Sequence, residues 1–149
     1  ANGFVISLHG SEKYLANRFE LGTTVDYEVS YTNLEEQEVD WSDVITAVGA
    51  GPSLVKDGRI IVDPAAEGFT EDKILTQSLT RSAIGVNPQG DIILINTVAN
   101  MQTLAEIMQE LGAVQAMNLD GGASSGIYLN GSYLVQPGRE LSNALIFVK

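Results

Sequence analysis

Three turn signals, each set between short apolar runs, constrain this chain more than any other feature. Leu54-Val55-Lys56 and Arg59-Ile60-Ile61-Val62 flank Asp57-Gly58. Ala83-Ile84-Gly85-Val86 and Asp91-Ile92-Ile93-Leu94-Ile95 flank Asn87-Pro88-Gln89-Gly90. Ile127-Tyr128-Leu129 and Ser132-Tyr133-Leu134-Val135 flank Asn130-Gly131. Asp-Gly and Asn-Gly supply the positive φ angles of a type I′ turn, and Asn-Pro-x-Gly suits a type I turn. Three hairpins in under a hundred residues commit the chain to antiparallel sheet.

The rest of the pattern fits around them. Phe4-Val5-Ile6-Ser7-Leu8 is a short apolar run, and Val25 to Tyr31 alternates with period two, so both are expected to be strands. Leu104, Ile107, Met108 and Leu111 recur at helical spacing. Thr103 with Glu106 predicts a capping box at the start of that helix, and Gly112 stands where a C′ glycine belongs. The methionines there serve as core filling. Val114 to Leu119 reads as a strand feeding Asp120-Gly121-Gly122, and Ala144 to Val148 as a closing strand. The expected fold class is α+β, a mixed, largely antiparallel β-sheet with one main packed helix.

The length of 149 residues fits a single domain, 1–149. A chain of this size buries about 70% of its unfolded surface and needs no staple to fold. It contains no cysteine, which excludes disulfides, thiolate zinc sites and cysteine nucleophiles. Nineteen acids against eight bases give a formal charge of −11, a balance that repels nucleic acid and anionic membranes. Glu35, Glu36, Glu38, Asp40 and Asp43 form an acidic stretch read as a solvated loop or edge, with a cation site as the lesser alternative. No apolar run reaches the ~20 residues of a membrane span, and no signal peptide is visible. No metal or cofactor motif is found.

Candidate chemistry concentrates in Asn118-Leu119-Asp120-Gly121-Gly122-Ala123-Ser124-Ser125. An apolar strand ends in a carboxylate, and two glycines then let a ligand approach main-chain N–H groups. The plainer reading is a tight turn in which Asp120 bonds its own backbone. Gly122-Ala123-Ser124-Ser125-Gly126 also matches the serine-hydrolase elbow G-x-S-x-G. That motif needs a helix after the serine and a histidine downstream, whereas here a hairpin follows and the lone histidine, His9, lies upstream. Arg81 and Arg139 are scarce cations in an acidic chain, and a guanidinium suits a bidentate grip on phosphate; each could equally be a surface ion pair.

Five segments together resemble the phosphodiester glycosidase family, in that family's order and over residues 48–148. Val48 to Gly58, with Gly51-Pro52, is similar to its glycine-proline segment. Thr80-Arg81-Ser82-Ala83-Ile84-Gly85 resembles its arginine strand. Leu104 to Leu111, followed by Gly112-Ala113, resembles its helix. Asn118 to Ser125 resembles its Asn-Leu-Asp-Gly-Gly-Gly-Ser-Ser signature, with Ala123 in place of the third glycine. Arg139 to Leu145 resembles its closing Arg-x-x-x-Asn-Ala segment. The family's upstream Asn-Gly-Gly-Phe-Phe-like segment has only a poor echo in Ala1-Asn2-Gly3-Phe4, so either the chain is the C-terminal part of a longer domain or part of the site is missing.

The resemblance implies hydrolysis of a sugar-1-phosphodiester to free sugar and phosphomonoester in envelope or exopolysaccharide metabolism of a bacterium. A non-catalytic glycan-binding or envelope-structural module on the same fold is the alternative. Asp120 is then the carboxylate facing the anomeric carbon, and Arg81, with Arg139, holds the phosphate. Gly121, Gly122, Ser124 and Gly51 contact the substrate, and Asn118 and Asn143 bond sugar hydroxyls or orient Asp120. A glycosidase usually employs two carboxylates; the second is not identified. The implied partner is a sugar phosphate or glycan, with no cofactor, and the implied location is extracellular or at the cell envelope.

Overall fold

The computed structural model describes residues 3–33 and 35–148. Ala1 and Asn2, half of the opening Ala1-Asn2-Gly3-Phe4 segment, lie outside the described residues. The chain divides into two compact units between Asp43 and Val44.

In the first unit the expected strands do not form. Residues 4–8 and 25–31 have no ladder, and the regular element is a 3-10 helix, Gly10–Arg18. A single antiparallel bridge joins Thr32 to Glu38. It closes a turn in which Asn33 Oδ1 accepts from the N–H groups of Glu35 and Gln37 at 2.9 and 3.0 Å. Period-two alternation assigns faces to a strand, but a strand also needs a neighbour for its N–H and C=O groups, and these segments have none among the described residues. Aromatic pairs organise the unit instead. Phe4 tilts against Tyr27 with ring centroids 4.6 Å apart, and Tyr31 stacks on Trp41 at 4.4 Å.

The second unit holds a five-stranded sheet ordered β2-β1-β5-β3-β4, each pairing antiparallel. Its strands are β1 (Ser53–Lys56), β2 (Arg59–Ile60), β3 (Leu79–Val86), β4 (Ile92–Ala99) and β5 (Gln115–Leu119). A separate hairpin pairs β6 (Ile127–Leu129) with β7 (Ser132–Val135). All three turn signals sit between paired strands. Asp57 and Gly58 have φ of 49° and 74°, and Asn130 and Gly131 of 50° and 86°, as a type I′ turn requires. Asn87 Oδ1 accepts from the N–H groups of Gln89 and Asp91 at 3.0 and 2.8 Å, closing the third turn. The α+β expectation holds: a mostly antiparallel sheet carries one main helix, α2 (Met101–Glu110), with a single-turn helix, α1 (Asp72–Leu75), before β3.

Helix α2 begins earlier than its capping-box motif suggests. Asn100 is the N-cap, its side chain accepting from Thr103 N at 2.9 Å. This start adds Met101 to the buried stripe with Leu104, Ala105 and Met108, while Leu111 falls outside the helix and is half-exposed. The end is as expected: Gly112 N bonds Gln109 O and Ala113 N bonds Met108 O, the Schellman pair. The stripe packs on Leu54, Val55, Ala83, Ala99, Ala113 and Ala116. Adjacent Leu54 and Val55 are both buried because the β1–β5 register slips between Ser53 and Val55. Gly85 lets the helix approach, since a Cβ there would stand 2.6 Å from Met108 Cε and 2.8 Å from Gln115 O.

The closing strand is absent as well. Residues 144–148 are exposed and join no ladder among the described residues. Ile146, Phe147 and Val148 there stay more than half exposed.

Candidate active site

The site assembles where β5 ends. Leu119 pairs with Ser82 of β3, and the chain then turns across the end of that strand. Gly121 is required by the crossing, because a Cβ would stand 2.6 Å from Thr80 O. Gly122 follows at φ +59° and opens a short 3-10 turn, Gly122–Ser124. The backbone so bent projects Asp120 outward, its Oδ1 accepting from Gly121 N at 3.0 Å.

Arg139 reaches this turn from the far side of the β6–β7 hairpin. Behind β7, Gly138 N donates to Ala123 O at 2.9 Å, which docks the returning chain on the 3-10 turn. Arg139 Nη2 then meets Asp120 Oδ2 at 3.2 Å, and Nε donates to Ser124 Oγ at 2.9 Å, with a second bond from Nη2 to the same hydroxyl. Asp120, Ser124 and Arg139 therefore converge on one turn. The pair is open, with side chains 76% and 60% exposed, so it adds only about 0–1 kcal/mol to stability. An exposed guanidinium can exchange its carboxylate for an incoming anion at little cost. The Asp120 carboxyl lies below the ordinary carboxylate range, chiefly through the Ser124 hydroxyl; burial opposes this as the next effect in size, and the Gly121 N–H and the Arg139 charge add to the lowering.

Arg81 has different partners. Its side chain is buried, Nε donates to Ala99 O at 3.2 Å, and Nη2 donates to Gln77 O at 2.9 Å and to Lys73 O. These carbonyls belong to the end of β4 and to the α1 region, so the guanidinium ties those segments to β3. Burial lowers its pKa from the usual arginine value. The carboxylate partner of Asp120 is thus Arg139, and the Arg81 bonds go to backbone carbonyls.

Asn118 is buried, with its Nδ2 donating to Gly51 O at 2.8 Å and its own N–H to Pro52 O at 3.0 Å. Its Oδ1 is a buried acceptor without a partner. Reversing the amide would set oxygen against the Gly51 carbonyl, so the observed orientation is the favourable one. Gly51 is packed under Phe69, whose Cζ would lie 3.1 Å from an added Cβ. Asn143 is exposed, and among the described residues no hydrogen bond joins it to the Asp120 cluster.

Three contributors escaped the sequence reading. Glu67 accepts from Ser53 N with both oxygens, at 2.9 and 3.1 Å, and so anchors the Gly51–Ser53 stretch that holds Asn118. Asn96 donates to Arg81 O at 3.0 Å and to Ser82 Oγ at 3.2 Å. Ser125 is buried and accepts from Ser82 Oγ at 3.2 Å. Only Ser125 carried a signal, as the second hydroxyl after the glycines. Ser124 is no elbow nucleophile: its short turn leads into β6, and its hydroxyl serves Arg139. His9 contacts Ser7 Oγ at 2.9 Å. The acidic residues 35–43 are exposed, and no group of three or more metal-ligating side chains gathers among the described residues. Nor, among these residues, is any helix long and apolar enough to cross a membrane.

A family model described as phosphodiester glycosidase matches residues 1–148. A hypothetical protein from Synechocystis with a solved crystal structure is 39% identical, over 60% of this chain and 18% of its own, with a TM-score of 0.54. The catalytic domain of zebrafish N-acetylglucosamine-1-phosphodiester alpha-N-acetylglucosaminidase, auto-inhibited by its pro-peptide, is 24% identical. It matches over 60% of this chain and 34% of its own, with a TM-score of 0.49. The chain thus spans about a fifth to a third of the length of these two. Among curated proteins no match was found.

Proposed function

This chain belongs to the phosphodiester glycosidase family, and from that membership we propose that it serves the hydrolysis of a sugar-1-phosphodiester. The substrate class is one like an N-acetylglucosamine-1-phosphodiester, and the products are free sugar and a phosphomonoester. The observation that carries this reading is the convergence of Asp120, Ser124 and Arg139 on one exposed turn. Envelope or exopolysaccharide metabolism in a bacterium, outside the cytoplasm, is the setting we propose.

The chemistry suits the residues. Cleavage at an anomeric carbon passes through an oxocarbenium-like state, which a carboxylate stabilises or traps. Asp120, held ionised by its neighbours, is the group for that role. Arg139 lies one hydrogen bond away and supplies the charge for the phosphate, which departs as a stable anion. Ser124 keeps the guanidinium in place. Gly122, beside open space, leaves room for the substrate at the turn, while Gly121 lets the chain cross the Thr80 carbonyl. Asn118 fixes the end of β5 through Gly51 and Pro52, and Arg81 acts on the site through the backbone it ties together.

The test is phosphomonoester release from an N-acetylglucosamine-1-phosphodiester, measured on this chain and on the longest protein that contains it. Release that survives Asp120→Asn and Arg139→Ala at the original rate would overturn the assignment. Sugar-phosphate binding without release by either protein would favour the glycan-binding module.

A further inference from the structure

A cavity of about 580 Å³ lies away from the Asp120 turn in sequence, wholly within residues 29–42. Its volume is within the ~300–1,000 Å³ of small-molecule sites. Tyr31 and Trp41 line it, stacked with centroids 4.4 Å apart and planes 13° from parallel, and each ring is more than a third exposed. The floor is braced by backbone: Val39 N bonds Tyr31 O at 2.8 Å, and Thr32 bridges Glu38. Glu38, Asp40, Ser30 and Ser42 supply the polar lining.

Two features select a ligand. A pair of parallel, half-exposed aromatic rings offers a flat apolar platform with electron-rich faces, which suits the C–H face of a pyranose and attracts a cation. The only charged groups lining the cavity are the carboxylates of Glu38 and Asp40, and among the described residues neither has a salt-bridge partner. Asp40 Oδ1 accepts from Ser42 N at 2.9 Å, which orients the carboxylate. The Ser42 bonds also keep Asp40 charged under mild acid, as they hold its pKa down.

We propose that the Tyr31–Trp41 cavity binds a cationic pyranoside, a sugar bearing a free ammonium group, with the ring on the aromatic platform and the ammonium between Glu38 and Asp40. A neutral N-acetylated sugar would leave both carboxylates without a counter-charge, and an anionic sugar would be repelled. The assignment is independent of the chemistry proposed at Asp120.

Trp41 is the sole tryptophan of the chain, so its fluorescence reports on this cavity without interference. The full chain is titrated with a tetramer of glucosamine and, separately, with its fully N-acetylated counterpart, at slightly acidic pH and low salt. The expected result is a saturable change in Trp41 emission with the glucosamine tetramer and at least about tenfold weaker response to the acetylated one. Asp40→Asn with Glu38→Gln should erase that difference, and Tyr31→Ala should weaken binding about tenfold while circular dichroism stays unchanged. Added salt should weaken the cationic ligand only in part, since stacking is not screened. Equal response to both tetramers would overturn the proposal, as would no response to either. A tetralysine peptide that reproduces the whole effect would also overturn it, because charge alone would then suffice.

Discussion

Asp120 is the residue for which we propose the central chemical role, and its neighbours decide its charge. Its folded-state pKa is depressed, so the carboxylate stabilises the fold above its unfolded pKa, and that contribution is lost as the pH falls through the folded value. The site should therefore stay ionised below the ordinary aspartate pKa of about 3.9. An NMR titration of the Asp120 carboxyl should show this, and Ser124→Ala should move the midpoint up, because Ser124 is the largest cause of the shift. A midpoint at or above the ordinary value would contradict the Ser124 and Arg139 contacts. Asp120→Asn keeps the bond from Gly121 N and loses the charge. It should reduce turnover by about a hundredfold or more while unfolding stability changes by no more than about 1 kcal/mol. A large loss of stability would make Asp120 a turn residue first. Of this cluster, Asp120 and Ser124 are legible in sequence as a motif. Arg139 is legible as a scarce cation, but its pairing with a group 19 residues away depends on the hairpin between them.

At the scale of elements, helix α2 shows how packing chooses between two local signals. Thr103-x-x-Glu106 is a valid capping box, and Asn100 is as good an N-cap. Starting at Asn100 buries Met101, which starting at Thr103 would not. Asn100→Ala should accordingly lower stability by about 1 kcal/mol, and Thr103→Ala by much less, in urea unfolding. Equal losses would return the cap to Thr103. Gly85 marks the contact of α2 with the sheet. Gly85→Ala should cost about 1–3 kcal/mol through overpacking, since Met108 can bend away but the Gln115 carbonyl cannot. A neutral Gly85→Ala variant would show that the helix sits further from β3. The turns needed no such arbitration, since Asp57-Gly58 and Asn130-Gly131 carry their geometry in their own φ angles.

The whole molecule explains why several strand expectations failed together. Residues 4–8, 25–31 and 144–148 all have strand-like composition and none has a ladder partner. One face of the sheet is covered by α2, whereas Ile92, Leu94 and Val98 of β4 stay exposed. The chain also spans only 18% of the Synechocystis protein it matches. We propose that a longer protein containing this chain would release phosphomonoester from the diester at a rate at least about a hundredfold above that of this chain, because groups that act as a unit lose far more than their sum when separated. Equal rates would place every essential group within residues 1–149.

Local chemistry alone decides the three hairpins, the end of helix α2, the glycine-flanked carboxylate and the family that these motifs spell out. Each depends on side chains within a few residues of one another, so a linear pattern contains all the physics. Tertiary structure alone decides which apolar runs become strands, where α2 starts, that Arg81 spends its donors on backbone carbonyls, and that Glu67 anchors the stretch holding Asn118. Those outcomes turn on hydrogen-bond partners and buried surface supplied by distant segments, and no spacing in the chain encodes which distant group will arrive.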